Sequence, residues 1–230
     1  MDRNSKLIPR IKVCGVTLPS DLDMLANAGV DTVGLNFVER SPRFITRQQG
    51  KELSLRAAEL GIQRVAVTMN LTAGELSDLL SQVEVDFVQL HGQERPELTE
   101  ACRGIPVIKA TSWTGRIEEH ELVTAWQSKV VTRELVAWLV DAYAPAAGGG
   151  TGRMACWELL QPRPNALQGL PMILAGGLNP ENVAHAVKTT MADGVDTASG
   201  VELRPGIKSP QLVQQFANNL SGLWPCPTDK

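Results

Sequence analysis

Short apolar, β-branched runs alternate with amphipathic stretches almost from one end of this chain to the other, and that alternation limits the fold more than any other feature. Consecutive parallel strands need a crossover long enough to hold a helix, so strand and helix patterns in alternation predict a parallel sheet. Eight runs read as strands: one that ends near Cys14, then 31–37, 64–68, 86–90, 106–109, 135–140, 172–175 and 194–198. The helical faces between them include Leu22 with Leu25, Leu53 with Ala57, Leu76 with Leu79 and Leu80, Val183 with Val187, and Leu212 with Phe216.

Terminal signals agree with that pattern. Pro19 suits a first helical turn, and Thr46 with Gln49 and Thr72 with Glu75 match the capping box. Asn179-Pro180 and Ser209-Pro210 predict two further starts, while Gly29 and Gly61 follow helix ends. Weaker helical patterns cover 97–102 and about 115–128.

Eight strand–helix units within 230 residues, with no change in composition along the way, predict one (β/α)8 barrel domain over 1–230, with short flexible termini at about 1–9 and 225–230. A doubly wound open sheet is the competing architecture, but no GxGxxG follows the first strand. A hydrophobic fraction of 43% is enough for a substantial core. The net charge of -3 and the lack of a basic stripe give no footprint for nucleic acid. No apolar run is long enough to span a bilayer, and the amino end lacks a signal peptide's apolar core, so the expected location is cytoplasmic. Cys14, Cys102, Cys156 and Cys226 have neither disulfide-framework nor zinc spacing, and His91, His120 and His185 are scattered, so no metal is expected.

In a barrel the carboxyl ends of all strands open on one mouth. That mouth would collect Cys14, Arg43, Asn70, Gln89 with His91, Lys109, Asp141, Gly176-Gly177 and Ser199-Gly200. Glycine turns let backbone N–H groups close on an oxyanion, so the turns after strands seven and eight read as a phosphate site, with Gly149-Gly150-Thr151-Gly152 as its cover. Taken singly they are equally tight turns. Arg43 is either a planar clamp for a carboxylate or a solvated cation. Asp141 ends an apolar strand, where burial favours the protonated form of an acid, or it anchors a loop. Cys14 is a small packing residue or a base; Lys109 an amine nucleophile or an ion-pair lysine; His91 a loop anchor or a substrate contact.

Taken together and in order, these segments resemble the phosphoribosylanthranilate isomerase family. The resemblance rests on Lys12-Val13-Cys14-Gly15, Ser41-Pro42-Arg43, Gln89-Leu90-His91-Gly92 with Glu94, Ile108-Lys109-Ala110, Leu139-Val140-Asp141, the Gly149–Gly152 loop with Trp157, Gly176-Gly177-Leu178-Asn179-Pro180, Ser199-Gly200-Val201-Glu202 and Pro205-Gly206-Ile207-Lys208. It implies an Amadori rearrangement of N-(5-phosphoribosyl)anthranilate in tryptophan biosynthesis, with Cys14 as general base, Asp141 as general acid and Arg43 on the substrate carboxylate. It further implies phosphate on Gly149, Gly150, Gly152, Gly176, Gly177, Ser199 and Gly200, with no cofactor. The partner is then a small phosphorylated substrate, for a monomer or weak homodimer without membrane or nucleic-acid contacts. The alternative is a diverged phosphate-binding barrel that acts on another phosphoribosyl amine or binds without turnover. The chain departs from the family pattern at Thr68, where an aromatic is usual, and at Ala155-Cys156 before Trp157.

Overall fold

The computed structural model describes residues 8–114, 116–141 and 157–224. Eight parallel strands close on themselves in chain order: β1 (Ile11–Cys14), β2 (Thr32–Asn36), β3 (Gln63–Thr68), β4 (Phe87–Leu90), β5 (Val107–Ser112), β6 (Leu135–Asp141), β7 (Met172–Ala175) and β8 (Gly194–Thr197). Closure is the pairing of β1 with β8, in which Lys12 lies opposite Asp196. Around the barrel run α1 (Pro19–Asn27), α2 (Arg47–Glu59), α3 (Ala73–Gln82), α4 (Ile117–Ala125), α5 (Gln127–Val131), α6 (Val183–Thr190) and α7 (Pro210–Leu220).

Both capping boxes form as their sequences predict. The Thr46 and Thr72 side chains accept from the Gln49 and Glu75 amides, and the Gln49 and Glu75 side chains accept from the cap amides. Ser209 caps α7 through the Leu212 amide. Other expectations need correction. α6 starts at Val183 with no side-chain cap, because Asn179 Oδ1 accepts from the Glu181 and Asn182 amides and closes a turn ahead of the helix. The helix expected over 115–128 is divided at Trp126 into α4 and α5. The connection after β4 is a tight 3-10 helix over Pro96–Cys102. A short antiparallel hairpin that periodicity did not predict, β9 (Glu202–Arg204) with β10 (Ile207–Lys208), follows β8.

Strand alternation divides the apolar residues between two cores. Val65, Val67, Phe87, Ile108, Ala137, Leu139 and Ile173 fill the barrel, while Leu35, Ala66, Val88, Leu90, Trp138 and Leu174 face the helices with Leu22, Leu25, Leu53, Leu76 and Phe216. Burying each such aliphatic or aromatic side chain contributes roughly 1.5–3 kcal/mol before chain entropy is counted. Thr68 follows inward-facing Val67, so it points into the helix-facing layer, where its buried hydroxyl has no hydrogen-bond partner. The departure at Thr68 therefore touches packing and not the mouth. Among the described residues no helix is long and apolar enough to cross a membrane.

Candidate active site

The interior apolar layers stop short of the carboxyl ends of the strands, which leaves a cavity of about 480 Å³ at that end. The volume suits a small ligand. Its wall includes Cys14 from β1, Asn36 from β2, Gln89 and His91 from β4 and its loop, Asp141 from β6 and Asp196 from β8. Gly176, Gly177 and Ser199 line it as well.

Cys14 ends β1 with its side chain inward, half-buried at the floor of the cavity. Gly34 is its register partner on β2, and a Cβ there would stand 2.8 Å from the Cys14 sulfur. A glycine is what that close approach requires. Burial pushes the thiol pKa above its ordinary value; the Lys12 and Lys208 ammonium groups oppose that shift and the Asp196 carboxylate adds to it. Asp141 ends β6, lies opposite Ala175 of β7 and lines the same cavity as Cys14.

The two glycine turns pack on one another. Gly176 and Gly177 have φ of 98° and 65°, the left-handed region open to glycine. A Cβ on Gly200 would stand 1.9 Å from the Leu178 carbonyl oxygen, which itself accepts from Thr197 Oγ1 at 2.7 Å. Backbone amides at this corner of the mouth can face an oxyanion without a side chain in between. The Gly149, Gly150 and Gly152 positions, and the departure at Ala155-Cys156, lie outside the described residues.

Arg43 does not line the cavity. Its stem crosses Gly15 and its fork meets Glu202, with Nε to Oε1 at 2.8 Å and Nη2 to Oε2 at 2.6 Å. That bond raises the Arg43 pKa above its already high value. Glu202 also accepts from Lys208 Nζ at 2.7 Å, and Lys208 Nζ donates to the Cys14 carbonyl oxygen at 2.6 Å. Burial alone would raise the Glu202 pKa, but its bonds to Arg43 and Lys208 outweigh burial and keep it ionised. The β9–β10 hairpin thus ties the arginine loop to the carboxyl end of β1.

His91 lines the cavity, and its Nδ1 lies 2.8 Å from Gln89 Nε2. Burial lowers its pKa, so the ring is neutral near pH 7. Lys109, by contrast, stays out of the cavity. Its ammonium bonds Glu94 at 3.0 Å and the carbonyls of Gly92 and Leu90 at 2.7 and 3.1 Å, which is the ion-pair alternative and leaves no free amine. Asn70 serves the same loop: its amide donates to Glu94 and its side-chain oxygen accepts from Gln93 N.

Sequence reasoning missed three groups at the mouth. Arg40, three residues before Arg43, lines the cavity where Arg43 does not. Lys12 and Asp196 form a buried ion pair at 2.8 Å inside the barrel. The signal for that pair was strand parity: Lys12 is two residues before Cys14 and shares its face.

The family model for N-(5'-phosphoribosyl)anthranilate (PRA) isomerase matches residues 11–219. An N-(5'-phosphoribosyl)anthranilate isomerase of Myxococcus xanthus is 40% identical over 209 residues, covering 90% of this chain and 93% of that protein. A crystal structure of a phosphoribosyl anthranilate isomerase in complex with reduced 1-(o-carboxyphenylamino)-1-deoxyribulose 5-phosphate superposes with a TM-score of 0.74 at 30% identity, over 94% of this chain and 100% of that one. A monomeric form of the dimeric phosphoribosylanthranilate isomerase of Thermotoga maritima gives a TM-score of 0.73 at 29% identity, with the same coverage.

Proposed function

This chain belongs to the N-(5'-phosphoribosyl)anthranilate isomerase family, an isomerase of tryptophan biosynthesis, and we propose that its rearrangement runs between Asp141 as general acid and Cys14 as general base. The observation that carries the assignment is that both side chains line one cavity together with the paired glycine turns. Asp141 gives its proton to the furanose ring oxygen, the C1–O bond opens, and an iminium forms with the anthranilate nitrogen. Cys14 then takes the proton from C2, and the electron pair of that bond forms the enolamine, which tautomerises to the ketone. No electrons leave the substrate, so the sequence of steps has no need of a redox cofactor. Each positioned proton transfer contributes typically 10²–10⁴-fold.

Phosphate on Gly176, Gly177, Ser199 and Gly200, with Gly149, Gly150 and Gly152 as the cover, sets one end of the substrate. We also propose that Arg43, held beside the cavity by Glu202, reaches in to take the carboxylate at the other end. Glu202 occupies two of the five guanidinium N–H groups, which leaves donors for a second carboxylate. Two anchored ends hold C2 between acid and base, the positional part of catalysis. The reading includes a small phosphorylated substrate, a cytoplasmic location and a monomer or weak homodimer.

Turnover of freshly generated phosphoribosylanthranilate, followed by loss of its fluorescence, tests the assignment in the wild type, Cys14→Ala and Asp141→Asn. A fall of about 10²–10⁴-fold in kcat is expected for each variant. Wild-type rates in either folded variant would remove that residue from the mechanism. Tight binding with no turnover in the wild type would favour the binding-only barrel.

A further inference from the structure

Lys12 and Asp196 have no part in the steps above, yet they sit directly beside the base. Lys12 is fully buried, Asp196 is 8% exposed, and they lie opposite one another across the seam that closes the barrel. A buried ion pair is weak evidence for stability, because well-packed apolar residues commonly do as well in its place. The location of this pair is the informative part. Lys12 shares the inward face of β1 with Cys14, its Nζ reaches Asp196 Oδ1 at 2.8 Å, and its charge acts on the Cys14 sulfur two residues on.

We propose that Lys12 is a positioning residue: its ammonium, held by Asp196, eases ionisation of the buried Cys14 sulfur and aims it into the cavity. The inference rests on the reading of Cys14 as the base. Lys12 keeps its own proton throughout, while the sulfur alone accepts the proton from C2. The charged groups facing the sulfur are Lys12 on its own strand, Asp196 on β8, Lys208 on β10 and Arg43 after β2. Around Lys12 stand Asp196, Cys14 and, from the β4 loop, His91. Burial opposes a charge on Lys12, but Asp196 and Cys14 outweigh it and hold its pKa above the ordinary lysine value. Lys12 is the strongest of the groups that counter the effect of burial on the thiol. A thiol in an apolar hole would otherwise be an inert packing group.

The test is the rate of Cys14 alkylation by iodoacetamide against pH, on the full substrate-free chain, with the Cys14 peptide followed by mass spectrometry. An opposite charge in contact shifts a pKa by about one to three units, so in Lys12→Met the midpoint moves up and alkylation near about pH 7.5 slows about tenfold or more. Lys12→Arg brings the profile back towards the wild type. The basic-side rise of kcat with pH moves up with the alkylation midpoint, while KM stays. A folded Lys12→Met with the wild-type alkylation profile overturns the proposal. Should that variant fail to fold because Asp196 is left unpaired, the Lys12→Met, Asp196→Asn double variant carries the comparison. A midpoint above the wild type in the double variant supports the proposal, and one at or below it overturns it. Full turnover in Cys14→Ala would instead overturn the base role itself, a result the substrate-free alkylation profile does not depend on.

Discussion

Lys12 and Lys109 are the same residue type, each inside a barrel strand, each fully buried and each paired with a carboxylate, but they lie on opposite faces of the sheet. Lys12 faces inward, and its ammonium bonds Asp196 beside Cys14. Lys109 sits between inward-facing Ile108 and Ala110, so it points into the helix layer. There it pairs with Glu94, 5.8 Å over the Trp126 ring, and gathers backbone carbonyls of the loop after β4. Their pKa values move in opposite directions: burial dominates for Lys109 and lowers it, whereas Asp196 foremost, with Cys14, outweighs burial and raises Lys12. In the proposed mechanism one lysine acts on the ionisation of the base, while the other holds a loop in shape. Strand parity alone separates the two roles.

The largest effect that would sharpen this contrast is on the outer face. Lys109→Met leaves Glu94 buried and unpaired and is expected to cost about 3–5 kcal/mol in urea unfolding. A stable Lys109→Met that has lost only kcat would break the comparison, because Lys109 would then belong to the site. On the inner face, Gly34→Ala pushes a methyl group against the Cys14 sulfur. A displacement of that kind is expected to lower kcat about 10²-fold in steady-state turnover, while the alkylation rate of Cys14 changes with its new position. An unaffected kcat would mean that the sulfur's position is not critical.

Smaller effects come from the neighbours of each lysine. His91 binds its proton less readily when folded than when unfolded. Between its lowered folded pKa and the unfolded value near 6.5 the unfolded chain carries more protons, so stability falls as pH drops through that window. His91→Gln is expected to flatten this slope in thermal melts across the acid range, and an unchanged slope would assign the acid sensitivity to other groups. The smallest effect is Thr68→Val, which replaces an unpartnered buried hydroxyl by a methyl of similar size. A gain of about 1 kcal/mol with unchanged turnover is expected, consistent with a layer that serves packing only.

Much of the frame was legible because it depends on local chemistry. Thr46 with Gln49 and Thr72 with Glu75 start helices wherever they meet a helical face, and both do so here. The glycines at 176 and 177 form the tight turn that was one of their two readings, with positive φ at both. Asn179 misled because an Asx turn and a helix cap use the same oxygen and the same donors, so only the following backbone distinguishes them. The β9–β10 hairpin was missed because two or three residues per strand carry no periodicity. Arg43 was legible as an arginine near the mouth, but not as one whose fork is held by Glu202, 159 residues later in the chain.

The sequence by itself determined the number and order of strand–helix units, the family, and several residues at the carboxyl ends of strands, among them Cys14 and Asp141; it misplaced Lys109, because β5 runs on to Ser112. Those follow from periodicity, caps and ordered motifs, all of which are written within a few residues of one another. Only the tertiary structure decided which charges meet. Lys12 finds Asp196 because closure brings the first strand against the last, Glu202 finds Arg43 and Lys208 through the hairpin, and Cys14 gains its room from a glycine on the next strand. Electrostatic energy depends on separation in space and on burial, and a chain's local pattern encodes neither across 184 residues.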